Sequence, residues 1–350
     1  MRPIGRRTVL KLVAGSVAGG AAWLMLPKAL AASRPGYPGA GRTDGGTGAT
    51  AGDAVLAIAF DHRLHTRLVV RGKPLTPWQP SESLLLADGA VDDFAITGHR
   101  EQPIADARHG SGHQSIVTGR SGNLEKEVAL TFFDGLPGFA VLQTRYRNLG
   151  STAVQVAGWR NAAHELAEAP GGFWSFSGTT HTDRRDWVQP LRAGFDQRNT
   201  LAMDSSDYGG GTPVANIWRR DVGLAVGHVE PVVRPLDLPV RKTDRGAHIA
   251  VESLQASALA PGQALVTERT FLAVHTGDHF APLLQYRQYM QAEGLEAPRA
   301  PESAFAPVWC AWGYGRDFTV KQILDTLPKA RELGFGWVVM DDGWQTNEGD

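Results

Sequence analysis

From Ala54 to about Thr276 the apolar residues of this chain recur with a period of two, and that alternation restricts the fold more than any other feature. Val55–Phe60, Arg67–Val70, Glu127–Phe132, Ala140–Tyr146, Val154–Val156, Val222–Val226, His248–Val251 and Leu265–Phe271 each read as short strands. Asp134-Gly135, Leu149-Gly150 and Pro261-Gly262 supply turns between them. Glycine accounts for 41 of 350 residues, roughly 12% against a usual ~7%, which favours a loop-rich β chain over a helical one. The stretch is far longer than an immunoglobulin-like unit of about 100 residues, and no linker-like break interrupts it. The pattern predicts one large antiparallel β-sandwich with its loops gathered at the rims.

Near His279 the period changes. Phe280, Leu283, Leu284, Tyr286, Arg287, Tyr289 and Met290 suit an amphipathic helix ending around Gly294. Ala297-Pro298-Arg299-Ala300-Pro301 then forms a stiff hinge, because closely spaced prolines cannot continue a helix. Beyond it, Ala306–Trp312 is a short apolar run ending at Gly313-Tyr314-Gly315, expected as a buried strand and its following loop. Thr319 is a plausible N-cap, and Val320, Ile323, Leu324, Leu327 and Leu333 mark one helical face. Pro328 is expected to kink this helix or tighten one turn, and Gly334 to end it. Trp337–Met340 is a second apolar strand with Asp341-Asp342-Gly343-Trp344 at its carboxyl end.

Strand, helix and strand in this order make a βαβ unit whose two strands run parallel. Carboxylates at the C-terminal end of a parallel strand sit where barrel and doubly wound enzymes place their ligands. Two adjacent acids repel and must stay solvated or paired. A hydroxyl-rich, ring-shaped ligand resolves that tension by donating hydrogen bonds to both. An Asp-Asp turn that merely ends a strand is the alternative.

The chain start reads as an address. Arg2, Arg6, Arg7 and Lys11 lead into a weakly apolar run, Leu12–Leu26, and Ala29-Leu30-Ala31 is a small-x-small cleavage signal. The run is shorter than the ~18–20 residues that span a bilayer. It resembles a twin-arginine export signal, with an uncleaved anchor helix as the alternative. The organisation expected is therefore a signal peptide over 1–31, a Gly-rich spacer over 32–52, the β-sandwich over 53–278, a helical linker with its Pro hinge over 279–301, and a first βαβ unit over 302–350. Export to the periplasm or the extracellular space follows, with no stable membrane insertion after cleavage.

Charge and cysteine usage exclude several functions. With 35 basic and 36 acidic residues the net charge is −1, so the dense basic surface of a nucleic-acid binder is missing. One cysteine, Cys310, rules out a disulfide framework and a Cys-based zinc site within one chain. His109 and His113, like His275 and His279, are spaced as helical metal ligands. Gly110 and Gly112 interrupt the first pair and no Glu completes the pattern, so surface or loop histidines are expected and no metal site.

Ten tryptophans are many for this length. Gly172–Phe176 leads to Arg184-Arg185-Asp186-Trp187, and Ser206-Asp207-Tyr208-Gly209-Gly210-Gly211 precedes Asn216-Ile217-Trp218. Aromatic faces beside Asp and Arg suit a sugar, which stacks on rings and pairs its hydroxyls with forked donors and acceptors. Tryptophans that plug the ends of the sandwich are the other reading.

Trp309-Cys310-Ala311-Trp312 on a first strand, a helix, then Met340-Asp341-Asp342-Gly343-Trp344-Gln345 on a second resembles the retaining α-galactosidases of the melibiase and raffinose-synthase group, glycoside hydrolase family 36. Asp207–Pro213 and Gly223–His228 in the sandwich also look like that family. The resemblance implies a large β-sandwich, a helical linker and then a (β/α)₈ TIM barrel. It implies that Asp341 and Asp342 accept hydrogen bonds from the 4- and 6-hydroxyls of a terminal galactosyl unit, and that Trp312 lines the same subsite. Trp174 and Trp187 are further substrate-binding candidates, since a sandwich aromatic reaches the subsite in some relatives. Trp309, Cys310 and Trp344 match motif positions and are expected to pack in the core. The implied partner is an α-galactoside oligosaccharide or glycan, with the oligomeric state open. No cofactor is implied, because two carboxylates suffice for glycoside hydrolysis.

The family's nucleophile follows the fourth barrel strand and its acid/base the sixth. A barrel takes roughly 200–250 residues or more, and about fifty follow the hinge here. The catalytic pair is therefore expected beyond Asp350, no residue of this chain is assigned a catalytic role, and the 350 residues alone are expected to be inactive. Neighbouring Asp341 and Asp342 cannot flank a scissile bond from opposite faces. The leading expectation is an exported α-galactosidase-type hydrolase. The alternatives are an α-N-acetylgalactosaminidase, a raffinose-type transglycosylase, or a non-catalytic sugar-binding β-sandwich protein.

Overall fold

The computed structural model describes residues 48–178, 185–201, 211–296, 298–315 and 317–341. The expected signal peptide and most of the spacer lie outside these residues. Two large antiparallel sheets face one another. The ten-stranded sheet runs Val188–Leu191, Phe173–Phe176, Val214–Trp218, Gly223–His228, Thr270–His275, Phe139–Asn148, Leu124–Phe133, Gly110–Ser121 and Ala95–Asp106, with Ala264–Val266 pairing Phe139–Asn148. In the nine-stranded sheet, Val154–Ala167 lies between Ser83–Leu86 and Gly246–Ser253. A four-stranded meander from Thr50 to Pro74 adds Leu56, Ile58, Phe60 and Leu68 to the same core.

The period of two is what builds that core. Along Leu124–Phe133, Leu124, Lys126, Val128, Leu130 and Phe132 are buried, while Glu125, Glu127, Ala129 and Thr131 are only partly covered. Leu84, Trp159, Leu166, Ile249 and Val251 of the other sheet meet these inward residues in one apolar cluster. Leu265–Phe271, expected as one strand, is two: Ala264–Val266 and Thr270–His275. The ladder breaks at Thr267, whose hydroxyl accepts from the Thr144 amide at 3.0 Å. The longest hairpin, Ala95–Asp106 with Gly110–Ser121, has an outer strand with no buried residue, so alternation gives no sign of it.

The spacer reading fails at its end. Thr50–Gly52 pairs with Ala57–Ala59, and a Cβ on Gly52 would stand 2.4 Å from the Leu56 carbonyl oxygen. That glycine allows strand approach. Gly223 and Gly227, in the segment that resembles the family, have a similar cause. A Cβ on Gly223 would meet the His275 ring at 2.1 Å, and one on Gly227 the Pro213 carbonyl oxygen at 1.9 Å.

Helix α1 (Phe280–Ala292) lies on the outer face of the ten-stranded sheet. Tyr289 and Met290 are buried against Phe133, Phe139, Val141 and Phe271, with the Phe139 and Tyr289 rings 5.6 Å apart. Phe280 and Leu284 belong to the predicted apolar stripe yet are exposed. The helix ends where predicted: Gly294 (φ +94°) donates to Gln291 and Leu295 to Met290, the two bonds of a Schellman motif.

The histidines expected at the surface are structural. The His109 ring stacks on Tyr289 at 4.1 Å and bonds Glu293 at 3.0 Å. His113 stacks on Phe132, and His279, just before α1, stacks on Phe176 at 4.9 Å. His275 folds over Gly223 to reach Asn216 Oδ1 at 3.0 Å. Among the described residues no three His, Cys, Asp or Glu side chains are grouped so as to hold a metal ion, and no helix is long and apolar enough to cross a membrane.

Candidate functional site

Val308–Cys310 and Trp337–Val339 pair in parallel, Cys310 opposite Val339. Helix α2 (Val320–Glu332) connects them. It starts at a capping box: Thr319 Oγ1 accepts from the Gln322 amide at 3.3 Å, and Gln322 Oε1 accepts from the Thr319 amide at 2.7 Å. The helix continues through Pro328 without interruption. The proline deprives the Leu324 carbonyl of its donor, and Leu324 stands exposed, where water can replace that bond. Gly334 (φ +83°) stops the helix as expected, with Phe335 donating to Ala330 at 3.0 Å. Of the predicted apolar face only Ile323 is buried, against Ala311 and Phe318.

The candidate residues gather where these two strands end. After Cys310 the chain tightens into a 3₁₀ turn, Ala311–Tyr314, closed by Gly315 at φ +79°. Trp309 packs on the Ala311 cluster, as expected, and meets the Tyr314 ring edge-on at 5.7 Å. Trp312, on the turn itself, is 45% exposed. The Tyr314 hydroxyl ties the turn to Thr326 of α2 at 2.5 Å.

Past the second strand, Asp341 adopts the left-handed region, φ +57°, which Asp and Asn tolerate better than most residues. Its Oδ2 accepts from the Cys310 thiol at 2.7 Å. That hydrogen bond raises the thiol's pKa, since ionising it would set a second negative charge beside the carboxylate. Cys310 is therefore a partner of Asp341 rather than the packing residue expected from the motif. Only its place at a strand end, beside the acidic strand end, hints at this in the sequence. Asp342 and Trp344 lie outside the described residues.

The remaining candidates belong to the sandwich. Trp174 stands opposite Trp218 across neighbouring strands and is 44% exposed. Trp187, 47% exposed, has its ring 6.0 Å from Phe176. The two therefore share the edge of the ten-stranded sheet, whereas Trp312 and Asp341 share the ends of the parallel pair. Arg184 and most of the Ser206–Gly211 loop lie outside the described residues.

No protein-family model matches the chain. In sequence it is similar to a protein of Flavonifractor plautii named "A type blood alpha-D-galactosamine galactosaminidase", 26% identical over 267 residues, which are 74% of this chain and 25% of that protein. In structure it is similar to the α-galactosidase of Lactobacillus brevis, with a TM-score of 0.56 and 14% identity over 87% of this chain and 50% of that one. It is also similar to a family 36 α-galactosidase of Geobacillus stearothermophilus solved with raffinose, with a TM-score of 0.51 and 14% identity over 87% of this chain and 51% of that one. The chain thus spans a quarter of its sequence relative and about half of these solved proteins. The chain is alike in fold to family 36 α-galactosidases and similar in sequence to a galactosaminidase.

Proposed function

We propose that this chain is the sandwich, linker and barrel entry of an exported glycosidase that removes terminal α-galactosyl-type sugars by a retaining mechanism. The observation that carries the reading is the Asp341 carboxylate at the carboxyl end of a parallel strand pair, near an exposed tryptophan turn. Ligands of parallel α/β enzymes gather at such ends. In this reading the βαβ unit over 302–350 opens a (β/α)₈ barrel. Asp341 and Asp342 accept sugar hydroxyls, Trp312 stacks on the ring, and the nucleophile and acid/base come from later barrel strands beyond residue 350. Residues 1–31 act as a twin-arginine signal.

The named sequence relative favours a second reading of the substrate, a terminal α-galactosamine or N-acetylgalactosamine unit, which differs from galactose only at the 2-position. Hydrolysis of nitrophenyl α-galactoside, α-galactosaminide and α-N-acetylgalactosaminide by the full-length gene product decides between them. Asp341→Asn is expected to lower kcat/KM on the preferred substrate about a hundredfold. Unchanged kinetics in that variant would remove Asp341 from the sugar site, and no turnover of any of the three would remove the glycosidase reading.

A further inference from the structure

We propose that Cys310 is a positioning residue: its thiol fixes the orientation in which the Asp341 carboxylate meets a sugar hydroxyl. The sugar rests on the function proposed above, whereas the pairing rests on geometry alone.

The parallel register sets Cys310 opposite Val339. An extended continuation of both strands would carry Asp341 level with residue 312, one pleat further on. The chain instead turns left-handed at Asp341, φ +57°, and brings Oδ2 back to within 2.7 Å of the Cys310 sulfur. A thiol is a weak donor to neutral acceptors, but a carboxylate makes the bond charge-assisted. Cys310 ends a strand and its own backbone starts the Trp312 turn. Its sulfur therefore has a fixed origin, and the bond holds one end of the carboxylate relative to that turn.

Such fixing matters for sugar recognition. A carboxylate that rotates freely must be immobilised when hydroxyls bind, and affinity falls by that entropy. One already held by a neighbour is preorganised. The adjacent carboxylate also keeps the thiol protonated, and so a donor, to higher pH than an ordinary cysteine. Cys310 is the only cysteine of the 350 residues, so thiol chemistry reports on this contact without background.

Two measurements test the proposal. The first follows thiolate formation with pH in the 350-residue chain, by absorbance near 240 nm or by alkylation rate, for the wild type and Asp341→Asn. Thiolate is expected at clearly higher pH in the wild type, and identical curves would overturn the pairing. The second compares turnover by the full-length gene product. Cys310→Ser, which keeps a donor, is expected within about threefold of the wild-type KM, and Cys310→Ala to raise KM about tenfold. Equal KM for both variants and the wild type would overturn the positioning role. Should Cys310→Ala fail to fold, Cys310→Val, which fills the space without a donor, takes its place, with the same rise in KM expected and an unchanged KM overturning the role. A shifted thiol titration with no turnover of any galactosyl substrate would sink the proposed function and the positioning role, and leave the contact as structure only.

Discussion

The ammonium of Lys126 lies 4.5 Å from the centroid of the Phe94 ring, inside the sandwich where neither side chain meets solvent. The strand places it there: Lys126 occupies an inward position between Leu124 and Val128. Its Nζ donates to the Glu82 carbonyl oxygen at 2.9 Å, and the buried Glu82 carboxylate accepts from Ser81 Oγ at 2.6 Å. Burial pushes the Lys126 pKa down from 10.5 to about 8, against the nearby carboxylates of Glu82, Asp92, Asp93 and Asp61, and it pushes the Glu82 carboxyl up.

The Lys126 shift fixes a sign. Between about pH 8 and 10.5 the unfolded chain holds a proton on Lys126 that the native chain has released. Raising the pH through that window therefore favours the native state, by an amount on the order of 3 kcal/mol. Urea unfolding of the wild type and Lys126→Met at pH 8 and 10.5 reads the effect as a difference between the two. The wild type is expected to gain on the variant as pH rises. A constant difference would show that Lys126 titrates normally.

Glu293 pins the end of helix α1 to the sandwich. Its carboxylate accepts from Arg108 Nη1 at 2.9 Å, His109 Nε2 at 3.0 Å, Arg269 Nη1 at 3.2 Å and the Tyr289 hydroxyl at 3.3 Å. Burial pushes this carboxyl upward, but the hydrogen bond from His109 and the charge of Arg269 outweigh it and hold it below the usual carboxylate range. The native chain thus releases this proton more readily than the unfolded one. The resulting stability is present above the unfolded value of about 4.5 and is lost as pH falls through the lower native value. Glu293→Gln is expected to cost about 1–3 kcal/mol at pH 7 and to flatten the acid limb of a pH–stability curve. An unaltered acid limb would mean that the clamp carries no net charge effect.

Gly223 and Gly227 carry different predictions although both face the outer side of one strand. An added Cβ on Gly227 would collide with backbone, the Pro213 carbonyl oxygen at 1.9 Å, so the strands must part. On Gly223 it would meet the tip of the His275 ring at 2.1 Å, which can swing away and lose its bond to Asn216. Gly227→Ala is expected to cost roughly 2–4 kcal/mol and Gly223→Ala about 1 kcal/mol. Thermal unfolding ranks them, and the reverse order would contradict the collision argument.

These contrasts mark what the amino-acid order makes legible. Alternation reveals Leu124–Phe133 because one face is buried. It misses Ala95–Asp106, where no residue is fully buried and only Ile96 and Ile104 lean on the apolar clusters. Local codes read well: Thr319 with Gln322, Gly294 and Gly334 begin or end helices through bonds within a few residues. Long-range contacts do not. Nothing around His109 announces Tyr289 and Glu293, and nothing in Trp309-Cys310-Ala311-Trp312 announces that Cys310 will meet a side chain 31 residues away. The motif makes Asp341 a candidate through resemblance, whereas its Cys310 neighbour emerges only from the register of two parallel strands.

The sandwich tryptophans leave two readings that one pair of variants separates. Phe176 is 4% exposed and stacks on His279 beside Trp187, so Phe176→Ala is expected to cost about 3–5 kcal/mol. Trp174, on the same outward face two residues earlier, leaves nearly half its surface in water. Less apolar area returns to solvent on its truncation, and Trp174→Ala is expected to cost no more than about 1–2 kcal/mol. If Trp174 serves a glycan, its loss lowers galactoside kcat/KM while urea unfolding barely moves. If it plugs the sheet edge, unfolding moves and kcat/KM does not. Because Trp174 is much more exposed than Phe176, we expect the first outcome, and a loss of stability as large as that of Phe176→Ala would assign Trp174 to the core.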